Sequence, residues 1–168
     1  MTSTAAPRTQ FTTPGETDIV AVRTFAAPRE NVWAAYTEPR HLQQWLSTPE
    51  GPLEVCEVDL RVGGAYRYRW GIPTGESFGF SGEFLEIEAP SRLVCTEVYE
   101  PAPSMAEGVF EGPPAVNTLT LEEADGRTTL TLLMRYASRG IREAVLAGGM
   151  TGGFDVTLDK LEKLLADD

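Results

Sequence analysis

The stretch from Ser138 to Ala166 constrains the fold more than any other part of the chain. Phe154, Leu158, Leu161 and Leu165 recur at helical spacing and predict an apolar stripe. The turns before them carry Ile141, Val145 and Met150, but also Gly148, Gly149, Gly152 and Gly153. Each glycine inside a helix costs about 1 kcal/mol relative to alanine. A helix that accepts four of them needs either close backbone approach or a smooth wall beside a space. The reading is one long C-terminal helix gripped by an antiparallel sheet, with a cavity between them.

The rest of the chain supplies that sheet. Residues Met1 to Thr17 are rich in Thr, Ala and Pro and are expected to form a disordered tail, so the single domain runs over 18–168. Asp18 to Phe25 alternates as a first strand, with Ile19, Ala21, Arg23 and Phe25 on one face. Pro28 and Glu30 open a short helix to about Tyr36, with Val32, Trp33 and Tyr36 as its buried side. Pro39 starts a second short helix through His41, Leu42, Trp45 and Leu46. From Leu53 the period changes to two. Tyr66, Tyr68 and Trp70 share one strand face, with Arg67 and Arg69 on the other. Gly82 interrupts a long strand where a bulge or bend is expected. Ala124-Asp125-Gly126 marks a hairpin between the last two strands. The order of strand, two helices, about six strands and a long helix is α+β with a meander.

Charge and composition narrow the partners. The 168-residue chain has a formal net charge of -11. That argues against nucleic acid and against anionic membrane surfaces, both of which require a basic face. No apolar run reaches the roughly 18 residues of a membrane span. The N-terminus lacks a secretory pattern, and Cys56 and Cys95 read as buried free thiols, so a cytoplasmic location is expected.

Val32-Trp33-Ala34-Ala35-Tyr36-Thr37-Glu38-Pro39, running into His41-Leu42 and Trp45, resembles the opening helices of the START-like (SRPBCC) superfamily. More narrowly, it is similar to the branch homologous to the activator of the heat-shock-protein 90 ATPase. Asp59 to Tyr66, Gly82 to Ile87, Pro90 with Arg92, Leu93 and Val94, Thr96-Glu97, Gly126 to Leu130, and Gly149-Met150 with Gly153 continue the resemblance over Asp18 to Ala166. The resemblance implies a helix-grip fold, with a curved antiparallel sheet of about six or seven strands around the C-terminal helix and an apolar cavity between them. It implies binding of a small hydrophobic or aromatic metabolite, polyketide-like or lipid-like. The alternatives are a cofactor-independent cyclase or dehydratase acting on such a ligand, and an interaction module of the chaperone-activator kind. The chain lacks the additional domain of the chaperone-acting members, so a chaperone partner is not expected.

Candidate residues follow from this container. Tyr66, Tyr68, Trp70, Phe78, Phe80, Tyr99, Phe110, Met134, Tyr136, Met150 and Phe154 would line a pocket for a planar apolar ligand, or would simply fill the core. Glu97 is the candidate catalytic group. By alternation it shares a face with Leu93, Cys95 and Tyr99, and two alternatives stand: that face points inward, or the face of Val94, Thr96 and Val98 does. An inward carboxylate gains a raised pKa through desolvation, as acid/base work requires, unless Arg69, Arg135 or Arg142 pairs with it. His41 is the only histidine and is expected to be exposed, which argues against a histidine-based triad or metal site. Glycine-rich phosphate patterns are absent, and no cofactor or metal is implied. Homodimerisation is left open by the sequence.

Overall fold

A computed structural model describes residues 9–47, 53–105 and 112–167. Eight strands form one antiparallel sheet: β1 (Gln10–Thr12), β2 (Asp18–Phe25), β3 (Leu53–Val58), β4 (Ala65–Gly71), β5 (Ser77–Glu88), β6 (Arg92–Glu100), β7 (Ala115–Ala124) and β8 (Arg127–Arg135). Their spatial order is β1-β2-β8-β7-β6-β5-β4-β3. Helices α1 (Arg29–Thr37) and α2 (Pro39–Trp45) lie between β2 and β3, and α3 (Arg139–Ala147) and α4 (Met150–Ala166) close the chain. This is the α+β helix-grip arrangement expected from the alternation and the C-terminal stripe. Among the described residues the strand count is eight, where about six or seven were expected.

Local chemistry explains the main turns. Asp125 and Gly126 both adopt positive φ, 55° and 75°, and Ala124 pairs with Arg127 across them. Two consecutive positive φ values make the type I′ hairpin turn whose twist matches its strands. The register shift in β5 falls between Phe84 and Glu86, not at Gly82. Gly82 serves a different purpose: a Cβ there would lie 2.7 Å from Tyr66 Cε1 and 1.9 Å from the Thr96 carbonyl oxygen. The bare backbone is what allows the Tyr66 ring to lie across it.

Two expectations are corrected. The C-terminal segment is two helices, broken where Gly149 takes φ 83°. A left-handed residue ends α3 and starts α4 in a new direction. The four glycines approach no neighbouring backbone closely; a Cβ on Gly149, Gly152 or Gly153 would meet nothing within 4 Å. Those three face open space, and Gly148 meets only the carbonyls of Val145 and Ala144, at 3.5 and 3.6 Å. The second correction concerns residues 9–17, read as part of a disordered tail. Gln10, Phe11 and Thr12 pair with Val22, Ala21 and Val20. Buried Arg142 holds the turn from β1 into β2: its Nη1 donates to the carbonyls of Thr13, Gly15 and Asp18 at 3.4, 3.0 and 3.3 Å. The signal was an arginine at a helical position that ordinary amphipathicity would leave in water.

The core sits where α1, α2 and α4 cover one half of the concave face. Ile19, Ala21, Val32, Leu130, Leu158 and Leu161 are wholly buried there. Arg23, also buried, ties β2 to α4: Nη1 reaches Asp155 Oδ1 at 3.3 Å, and Nη2 reaches Asp159 Oδ1 at 2.7 Å and Glu162 Oε1 at 3.2 Å. Its charge is thereby compensated by carboxylates that remain partly hydrated, while its guanidinium lies 5.4 Å from the Phe25 ring centre.

Candidate functional site

Three rows of side chains cross the concave face. Cross-strand partners share a face, so register alone defines the rows. The first is Cys56–Tyr68–Phe80–Tyr99, paired in that order through β3, β4, β5 and β6. A second, Phe84–Cys95–Asn117–Met134–Ile19, continues through β5, β6, β7, β8 and β2. Between them runs Val58–Tyr66–Gly82, and the continuous register from Ser81–Val98 to Phe84–Cys95 sets Gly82 opposite Glu97, which pairs with Ala115. Glu97 therefore points inward, which resolves the alternative left open by alternation.

Glu97 has an amide partner. Asn117 Nδ2 donates to Glu97 Oε2 at 2.9 Å. The three arginines considered as partners go elsewhere. Arg69 binds Glu100 and Ser77, Arg135 binds Asp18, and Arg142 binds the backbone carbonyls and Glu143. Among the described residues no ion pair involves Glu97. Desolvation raises its pKa above the usual carboxylate value, and the Asn117 hydrogen bond opposes the rise without cancelling it.

Tyrosines surround this carboxyl. Burial raises the pKa of Tyr36 on α1, of Tyr66 and Tyr68 on β4, and of Tyr136 just beyond β8, and the Glu97 charge adds to the rise in each. Burial also pushes the Cys95 thiol up to about 12, against a small lowering by Tyr66 and a further raising by Glu97. All of these groups stay protonated at neutral pH. Tyr66 spends its hydroxyl proton on the Thr96 carbonyl at 2.6 Å. Its ring lies 5.1 Å from Tyr68 and 5.5 Å from Phe84.

The structure sorts the candidate lining residues. Tyr66, Trp70 and Met134 are buried core residues. The Trp70 indole donates to the Leu46 carbonyl at 2.6 Å and stacks on Phe78 at 5.4 Å, which closes the groove's end at α2. Tyr68, Phe78, Phe80 and Tyr136 are half-buried, and Tyr99 is 37 % exposed with its ring 5.3 Å from Phe80. Tyr68, Phe78, Phe80 and Tyr99 share the inner face of the curved sheet over β4, β5 and β6, an aromatic groove left half-covered. Phe154 is not brought there; it packs edge-on against Phe11 of β1 at 6.4 Å. Met150 packs on the core. Phe110 lies outside the described residues. His41 is half-buried rather than exposed. Sequence reasoning missed Asn117, although a polar residue at an inward position between Ala115 and Leu119 was the available signal. It also counted Tyr36 only as packing.

Two shallow depressions, about 360 and 370 Å³, lie elsewhere: one beside Arg23 and Glu162, the other over Glu57, Arg67 and Ser81 on the outer face of β3 to β5. Both are wide open to solvent and neither gathers reactive groups. No group of three or more metal-ligating side chains occurs among the described residues.

An antiparallel sheet curled over a C-terminal helix, with two short helices after the first long strand and polar groups on the concave face, defines a START-like domain. The profile of the family described as "Activator of Hsp90 ATPase homolog 1-like protein" matches residues 26–166, and the chain belongs to that family. A crystal structure of a Rhodobacter sphaeroides protein is 30% identical, with a TM-score of 0.85, and the match covers 96% of this chain and 99% of that one. A Nitrosomonas europaea protein is 28% identical with a TM-score of 0.77, over 92% of this chain and 97% of that one. A Mycobacterium smegmatis protein is 26% identical with the same TM-score, over 93% and 97%. A Schizosaccharomyces pombe protein is 27% identical over 128 residues, 76% of this chain and 32% of its own length. The chain thus spans about a third of that curated relative.

Proposed function

We propose that the chain binds a small hydrophobic or aromatic metabolite, polyketide-like or lipid-like, in the groove over β4, β5 and β6. The family fold supports a ligand-binding or related module in general. One observation carries the finer reading: Tyr68, Phe78, Phe80 and Tyr99 are left half-covered on a concave face whose other half is fully packed. Apolar rings left partly in water beside inward polar groups are the usual construction of a ligand site. The setting we infer is cytoplasmic, consistent with free thiols at Cys56 and Cys95. No helix among the described residues is long and apolar enough to cross a membrane.

A thermal-shift screen against planar polyphenols, polyketides and fatty acids tests the binding reading. A ligand at a hundred times its Kd stabilises the fold by about 2.7 kcal/mol. Phe80→Ala is expected to abolish that shift. Absence of any shift across the panel, or a shift indifferent to Phe80→Ala, removes the groove as the site.

The Glu97–Asn117 pair favours a second reading, a cyclase or dehydratase in which Glu97 transfers the proton. A half-buried carboxyl with a raised pKa and no cationic partner is suited to that work. Turnover of a bound polyketide by the native chain and its loss in Glu97→Gln, with binding retained, would establish it. Binding without turnover would leave a carrier.

A further inference from the structure

The groove's polar groups are unbalanced, and the imbalance has a sign. Asn117 is 8 % exposed, and its Oδ1 has no hydrogen-bond partner. A buried acceptor left unpaired costs about 1–3 kcal/mol. Turning the amide over would set its carbonyl against the Glu97 carboxylate, so the orphan cannot be moved to the other atom while Glu97 is charged. A carboxylate has about four acceptor positions, and Asn117 Nδ2 fills one of them. The nearby Tyr66 hydroxyl is committed to Thr96. Among the described residues no cationic side chain pairs with Glu97, and Asn117 Oδ1 is left without a donor, inside a chain of net charge -11 that draws cations and repels anions.

Resting on the groove reading above, we propose that the preferred ligand carries a protonated amine on its aromatic or apolar body, and that the ammonium pairs with Glu97 beneath the rings of the groove. The amine supplies the positive charge that no described side chain brings to Glu97. The Asn117 carbonyl dipole, uncompensated beside Glu97, reinforces the negative potential there without touching the ligand. Tyrosine faces add their own attraction for a cation. Fatty-acid carboxylates become the poorest ligands, because they would set two carboxylates together out of water.

The pH dependence is set by the groups facing Glu97. Tyr36 comes from α1, Tyr66 and Tyr68 from β4, Cys95 from β6 and Tyr136 from just beyond β8; each is held neutral by burial. Glu97 is then the carboxylic acid among them, held above the usual carboxylate value by desolvation. An ammonium favours its charged form, so amine affinity rises with pH as Glu97 ionises. A ligand that accepts a proton from Glu97 would show the opposite slope.

Three probes of one shape test this by isothermal titration calorimetry on the full chain: naphthylmethylamine, naphthylmethanol and naphthoate. The amine is expected to bind at least about tenfold tighter than the alcohol at about pH 8, with naphthoate weakest, and its advantage is expected to shrink toward about pH 5. In Glu97→Gln the amine is expected to fall to the alcohol's level. The wild-type pH series stands alone if that variant folds poorly. An alcohol that binds as tightly as the amine overturns the charge preference while leaving the groove in place. An advantage that persists in acid or in Glu97→Gln overturns it equally. If none of the three binds, the groove reading fails and the preference with it.

Discussion

The concave face of one sheet is built in two ways. Over β2, β7 and β8 it is solid: Ile19, Ala21, Leu121 and Leu130 are at most 1 % exposed, and Leu158 and Leu161 of α4 lie in the same cluster at 0 %. Over β4, β5 and β6 the same pleat presents Tyr68, Phe80 and Glu97 half-covered and Tyr99 more open still. The difference lies in what stands opposite. Arg23 ties α4 to β2, so its leucines serve that side, while the glycines of the α3–α4 break carry no side chains that could reach the other. One half spends its apolar surface on stability, and the other keeps it for something else.

Substitutions that treat the halves alike sharpen this contrast. Leu161→Ala is expected to cost about 3 kcal/mol in urea unfolding, because a fully buried leucine leaves a cavity. Phe80→Ala, although larger by volume, is expected to cost only about 1 kcal/mol, because water already shares its site. Equal costs would break the comparison. Gly153→Ala is expected to stabilise the chain by about 0.5–1 kcal/mol, since the added methyl meets nothing and helix propensity improves. A loss instead would show that the space beside α4 is occupied.

The smallest effect, and the most diagnostic, is in pH. Asp18, on the outer face at the start of β2, is held below its usual 3.8, chiefly by the Arg135 hydrogen bond. Its contribution is present near neutrality and is lost as pH falls below about 4. Glu97 is shifted the other way, raised from 4.5 by desolvation. The folded state holds that proton more tightly than the unfolded chain, so stability is highest below about 4.5 and declines as pH rises through the raised value. In unfolding titrations, Asp18→Asn is expected to flatten the acid limb. Glu97→Gln is expected to gain on the native chain as pH rises. Parallel profiles for the two variants would deny them opposite environments.

Legibility in the sequence divides along the same line. Alternation placed Tyr66, Tyr68 and Trp70 on one face, and the leucine spacing of α4 announced the solid core, because period and burial are local properties. The inward turn of Glu97 needed the register of β6 against β5 and β7, which no local pattern carries. The break at Gly149 was read as lining rather than as a stop, since glycine serves both and only φ separates them. The order of residues 9–17 depended on Arg142, more than 120 positions away.

That last contact bears on how copies of the chain treat one another. β2 has eight residues and is rich in Ile, Val, Ala and Phe, and among the described residues its free side is capped by β1 only at Val20 to Val22. A strand of this composition with bare amides is a template for intermolecular pairing. Three residues, kept in place by one guanidinium, are thus a guard against edge-to-edge assembly. Loss of Arg142 should show itself first as light scattering from a protein whose interior is still intact.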